Sequence, residues 1–411
     1  MKFHSNIITI ALLLAVPPLG AGESLSLAEA TARALEKHPS LQVYDAEKRL
    51  ADAKIITALT RPNPELEFET EDVLGSGVYE GFDSAIYNLG VSQLIELGGK
   101  RRFRGEVAKS AREAEDLRFE SARREIIADT ARRFVQALAA QEAEASEEQN
   151  RKIALETVRS VKGLQEGGRG SALDVVQSEL GLKEAELLVE NARSRTALAH
   201  QQLASMWREA KPDFTEVAGR LTEPAESVPT VEALKDSLEG HPVMALARSG
   251  IDTAKRERVL QEKLRQPDLN LGLAWRRDTT VDDNAVVLNF SLPLPLWNRN
   301  EGGIAEAEAE ISRNEALVEQ TRQQLVAALG EALTKLEFAR ASYALIAGEM
   351  LSQAAKQQEN VAEGYRLGRI GYLDLLEARR TLTGVRARKI EALSTYHEAR
   401  IEVEALTGKS L

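Results

Sequence analysis

The chain has 411 residues, 43% of them hydrophobic and 28% charged, a balance that folds. Aromatics at 5% are thin for compact β sandwiches and suit Ala-, Glu- and Arg-rich helices. A formal charge of -11 and the lack of cysteine exclude a general attraction to nucleic acid, disulfides, thiolate metal sites, a Cys nucleophile and a lipidated N-terminal Cys.

Met1-Lys2, the apolar stretch from Ile7 to Val16 and the cleavage-type residues Leu19-Gly20-Ala21-Gly22 have the pattern of a secretory signal over residues 1–22. That stretch is too short to span a bilayer, and no later one reaches the roughly 18 apolar residues required. A mature chain that enters a membrane must therefore do so as a barrel.

The remainder reads as two copies of one plan. Leu35-Glu36-Lys37-His38-Pro39 returns as Leu238-Glu239-Gly240-His241-Pro242, and Pro64-Glu65-Leu66-Glu67-Phe68 as Pro267-Asp268-Leu269-Asn270-Leu271. Gly168-Arg169 and Leu173-Asp174 return as Gly368-Arg369 and Leu373-Asp374. Landmarks in the same order at a spacing of about 200 residues indicate tandem duplication. The expected division is 23–208, a linker at 209–228, and 229–411.

In each copy a short helix leads to His-Pro (Leu27 to Lys37; Val231 to Glu239), and a second runs Ser40 to Thr60 or Val243 to Arg265 until proline stops it. Two alternating segments follow, predicted as strands near 64–73 and 84–96, and near 267–276 and 284–293. Leu66, Phe68 and Thr70 share a face opposite Glu65, Glu67, Glu69 and Glu71, the period-two signature of one-sided strands. Unbroken helical stretches then run from Lys100 to Lys162 and from Asn300 to Glu363, each about 95 Å long at 1.5 Å per residue. Gly-rich turns reverse them into return helices, Ala172 to Trp207 and Tyr372 to Leu406, giving hairpins over 100–207 and 300–407. Ile127, Phe134, Leu138, Leu375, Leu382 and Val385 are the expected coiled-coil seams.

Four strands cannot close a membrane barrel, since the smallest have about 8. They must close by assembly, twelve strands in a trimer or sixteen in a tetramer, and their lengths suit the 9 to 11 residues of a tilted membrane strand. The other reading is a water-soluble sheet whose apolar face packs on helices. Together the signal, the strands and the long helices describe an outer-membrane channel with a helical extension into the periplasm. A periplasmic adaptor would carry one such hairpin, not two, and a soluble coiled-coil scaffold needs neither strands nor a signal.

The segment Glu96-Leu97-Gly98-Gly99-Lys100-Arg101 resembles the strand-to-helix junction of the TolC family of outer-membrane efflux proteins, above all its heavy-metal branch, the cobalt-zinc-cadmium and copper-silver channels. Tyr365 to Arg369 with Leu373-Asp374-Leu375-Leu376 resembles that family's second hairpin. The resemblance implies a mainly α fold with a small β part: long antiparallel coiled coils forming a periplasmic α-barrel, and a homotrimer with a 12-stranded barrel in outer-membrane lipid. It also implies docking to a periplasmic adaptor and an inner-membrane pump, with heavy-metal cations as cargo or, alternatively, drugs or organic solutes. His-Pro stands where the family usually has Asn-Pro.

The resemblance also places the gate. Tyr365 matches the gating tyrosine, Asp374 and Glu377 the acidic positions, and Ile370 the basic position, so Arg366 or Arg369 would have to serve there. Three Asp374 carboxylates in a narrow pore would favour cations; the other role of an acid at a helix start is capping, expected also of Asp174. Gly168, Arg169, Gly170, Gly368 and Gly371 are candidates for adaptor docking at the tips. Glu65, Glu67, Glu69 and Glu71 would line the barrel lumen, and Lys100, Arg101, Arg102 and Arg104 would meet water or lipid headgroups below it. No histidine or methionine spacing makes a metal site, no catalytic motif is present, and no cofactor is implied.

Overall fold

The computed structural model describes residues 24–411, so the signal-type segment 1–22 lies outside the described residues. In chain order the elements are β1 (Ser24–Leu25), α1 (Leu27–Lys37), α2 (Pro39–Leu59), β2 (Glu65–Glu71), β3 (Ile86–Ile95), α3 (Lys100–Glu166) and α4 (Ala172–Ala204). They continue with β4 (Glu216–Val217), α5 (Val231–Leu234), α6 (Pro242–Leu264), β5 (Leu269–Asp278), β6 (Asp283–Ser291), α7 (Glu301–Leu345), α8 (Leu351–Arg366) and α9 (Tyr372–Thr407).

Local chemistry explains the starts and stops. Ser26 opens α1 with a reciprocal cap: its Oγ accepts from Glu29 N–H at 3.3 Å, and its own N–H donates to Glu29 Oε2 at 2.9 Å. Pro39 and Pro242 sit at the first positions of α2 and α6, where a missing N–H costs nothing. Before Pro39, His38 Nδ1 accepts from Ser40 N–H at 3.3 Å, the job an asparagine side-chain oxygen does in such turns.

The chain divides into two compact units that cut across the sequence halves. One comprises residues up to Val43, Phe119–Pro242 and Arg322–Leu411; the other comprises Tyr44–Arg118 and Val243–Thr321. The first unit is helical, with a core built on Ala30, Phe134, Leu138, Leu203 and Trp207 and a two-residue parallel pairing of β1 with β4. The second holds an antiparallel sheet in the order β2-β3-β5-β6. Its central pair, Ile86↔Asp278 to Ile95↔Leu269, joins one hairpin from each half of the sequence.

Several expected features differ. β5 starts two residues later than expected, at Leu269, and the helix before His241 is one α turn followed by a 3-10 segment, Lys235–Gly240. The second long helix is interrupted by a π turn at Ile346–Met350. On α3 the buried isoleucine is Ile126, while Ile127 is only half-buried; the 3.6-residue period sets which neighbour faces the core. The linker 209–228 contributes β4, where no strand was expected.

Candidate functional site

The sheet has two chemically distinct faces. Its register aligns Leu66, Val91, Leu273 and Leu288 in one row and Phe68, Leu89, Trp275 and Val286 in the next. Every one of these side chains is exposed; Leu66 retains 76% of its accessible surface, Leu288 77% and neighbouring Phe290 80%. The opposite face carries Glu65, Glu67 and Glu69 beside the small or polar Ser92, Gly90 and Asn88, and Glu71 beside Ile86. Ser92 Oγ donates to Glu67 Oε1 at 2.5 Å and Asn88 Nδ2 to Glu71 Oε1 at 2.8 Å. The outer edges of β2 and β6 pair with nothing among the described residues. A contiguous apolar face of this size is not stable in water, and open strand edges are not tolerated in lipid.

The junction below β3 is more tightly built than the sequence suggested. Gly98 and Gly99 both take φ +72°, a turn that a side chain would strain. Lys100, expected to meet water or headgroups, is only 5% exposed: its Nζ donates to Asp268 Oδ1 at 2.8 Å, and the same oxygen accepts from Leu97 N–H at 3.0 Å. Arg104 pairs with both oxygens of Glu96. A buried ammonium needs such a partner, and Asp268, from the other half of the sequence, had given no signal of the role. Arg102 pairs with Glu106 along its own helix. On the β6 side, Asn300 takes φ +59° and anchors to the Gln261 carbonyl through Nδ2 at 2.8 Å.

Both hairpin turns close by one backbone device. Gly168 and Gly368 take φ +72°; Arg169 N–H donates to the Leu164 carbonyl at 2.8 Å and Arg369 N–H to the Gly364 carbonyl at 2.9 Å. This is the Schellman ending, whose left-handed residue favours glycine. At Gly170 an added Cβ would lie 2.9 Å from Gln165 N.

The side chains at the two turns differ. Ser171 caps α4, its Oγ accepting from Leu173 N–H at 3.1 Å, so Asp174 is not the cap residue expected there. At the second turn Asp374 does cap, Oδ2 accepting from Gly371 N–H at 3.3 Å. Tyr365 and Tyr372 meet edge to face at 6.0 Å between ring centroids, in a cluster with Val161 and Leu375. The Tyr365 hydroxyl is buried without a hydrogen-bond partner. Burial first, then the nearby Asp174 carboxylate, raises its pKa above the usual phenol value. Arg366 pairs with Glu363 at 2.7 Å along its own helix, and not with Asp374. The Arg369 side chain and Glu377 are exposed.

Residues 30–207 and again 233–409 match the family profile described as Outer membrane efflux protein. The chain belongs to the outer membrane efflux protein family. It is 28% identical over 399 residues to the cobalt-zinc-cadmium resistance protein CzcC of Cupriavidus metallidurans, covering 97% of this chain and 93% of that protein. It is 24% identical over 339 residues to the nickel-cobalt-cadmium resistance protein NccC of Alcaligenes xylosoxydans xylosoxydans, covering 79% and 73%. Among solved structures it matches the channel CusC with a TM-score of 0.75 at 15% identity, over 96% of this chain and 97% of that one. The open Neisseria gonorrhoeae MtrE outer membrane channel matches at 0.73 and 18%, over 94% and 89%.

This efflux protein is thus an outer-membrane channel with helices extending into the periplasm. No described helix is long and apolar enough to cross a membrane. Asp174 and the tyrosines Tyr365 and Tyr372, far apart in sequence, are what spacing alone did not bring together.

Proposed function

We propose that three copies of this chain close a 12-stranded barrel in the outer membrane, continuous with a helical duct in the periplasm. Heavy-metal cations, delivered by an inner-membrane pump through a periplasmic adaptor, leave through it without chemistry by the chain itself. The observation that carries this reading is the exposed apolar face of β2-β3-β5-β6 with both edges open. Three sheets joined β6 to β2 keep every neighbour antiparallel, satisfy the edge groups and turn all apolar rows to lipid. The metal cargo is supported by the relatives named for cobalt, zinc, cadmium and nickel resistance.

In this assembly the Glu65 to Glu71 face lines the lumen as a wet, negative wall. Gly168, Arg169, Gly170, Gly368 and Gly371 present the turn backbone to the adaptor. At the entrance, the Tyr365-Tyr372 pair and Asp174 hold the second hairpin against the first. Asp374 spends one carboxylate oxygen on its own helix and keeps the other for a ring of three, with Glu377 one turn on. The ring attracts cations.

Single-channel recording of the Asp374→Ala, Glu377→Ala double variant tests the entrance. Weaker cation preference and weaker divalent block are expected, with the barrel intact. Unchanged selectivity with a lower melting temperature would leave Asp374 only its cap.

A further inference from the structure

Within the helical unit, the α3–α4 and α8–α9 hairpins leave a cavity of about 370 Å³ between them. Ile153, Ala185, Leu188 and Leu376 give it a largely apolar wall. Two glycines, Gly181 and Gly384, stand in that wall, and a Cβ at Gly384 would meet nothing within 4 Å.

Arg379 of α9 stands in this wall, half-buried. Its guanidinium makes no hydrogen bond or ion pair among the described residues, and its Nε is sealed from water. The charge cannot be shed, because arginine stays protonated in proteins, although burial pulls its pKa below the usual arginine value. Tyr372 and then Glu156 act on it from a distance without bonding to it. The other charged residues of the lining nearly cancel: Arg380 and Arg386 stand against Glu147 and Glu184, and Arg380 is already tied to Glu184 at 3.0 Å across the two hairpins. What is left over is one partly desolvated cation beside an apolar hollow. Leaving such a charge unpaired is costly, and an apolar pocket with few convergent polar groups is how small-molecule sites are built.

We propose that this cavity binds a small amphiphilic carboxylate, its apolar body filling the space between the hairpins and its carboxylate accepting hydrogen bonds from Arg379. A bound molecule bridges the two hairpins and ties them together. Its binding test does not depend on transport.

The test is calorimetric titration of the full chain in lipid nanodiscs with naphthoate, and with uncharged naphthalenemethanol as its partner probe. Saturable naphthoate binding is expected, at least about tenfold tighter than the alcohol, a charge-assisted hydrogen bond being roughly twice as strong as a neutral one. Arg379→Gln should remove that preference. Gly384→Leu, placed where the added Cβ has room, should abolish binding of both probes while the melting temperature holds. Absence of saturable binding in the wild type, equal affinity for the two probes, or Arg379→Gln binding naphthoate like the wild type would each overturn the proposal.

Discussion

The core of the helical unit and the sheet use the same kinds of residue in opposite settings. Phe134, Leu138 and Leu203 are at most 1% exposed, whereas Phe68, Leu273 and Leu288 on the sheet are more than half exposed. Neither set is misplaced: each is sorted by the solvent it meets, protein interior for one and lipid for the other. The difference teaches that this chain folds against two solvents, and that its polar face must be read by the same rule. Glu67 and Glu71, satisfied by Ser92 and Asn88, belong on the wet side of the sheet.

Putting a charge on each face breaks this comparison most sharply. Leu288→Arg, at the middle of β6, is expected to cost about 2–4 kcal/mol per copy at the bilayer midplane, and three copies should suffice to keep the protein out of the outer membrane. Ala274→Arg, on the opposite face, should insert. Outer-membrane fractionation of both variants measures this, and equal insertion would remove the lipid from the apolar face.

In the helical core the expected effect is of another kind. Phe134→Ala should cost about 3–5 kcal/mol by leaving a cavity, read as a lower melting temperature of the periplasmic helices. Insertion of the sheet should survive at low temperature, since it draws on different contacts.

The smallest effect is pH-dependent. His397 is 1% exposed, its Nε2–H donates to the Thr222 carbonyl at 2.9 Å, and burial, helped by the Arg400 charge, pulls its pKa down to about 4. His241 is likewise pulled down to about 4, chiefly by burial and then by Arg124. A histidine whose folded pKa lies below its unfolded value favours the neutral form. Its contribution is complete above about pH 6.5 and drains as pH falls toward about 4, by up to about 3 kcal/mol for His397. Buried Glu404 is shifted up and has the opposite slope, losing stability as pH rises. Melting temperatures of wild type and His397→Gln at about pH 7 and about pH 4.5 separate the two; an unchanged pH dependence in the variant would clear His397 of the role.

Much of this was legible in the sequence, and the parts that were not share a cause. Alternation at Leu269, Leu271, Leu273 and Trp275 revealed the strand and its face, because period two survives without tertiary information. Two-residue strands such as β1 and β4 have no period to read. The π turn at Ile346–Met350 lies within an otherwise continuous helical stretch that no proline marks. Lys100 and Asp268 lie too far apart in the chain for spacing to join them. Asp174 and Asp374 occupy equivalent places in the duplication, and the capping expected mainly of Asp174 is done by Asp374 instead. Their roles separate because the first turn has Ser171 as a cap and the second has Gly371, whose missing side chain leaves the capping to Asp374.

The claim beneath all of this is that the sheet is one third of a closed barrel. Native mass spectrometry of the full chain, extracted from outer membranes in mild nonionic detergent, tests it most directly. The account predicts a species of three copies that persists until the detergent is stripped; a well-folded monomer, its four-stranded sheet intact in the same detergent, would contradict it.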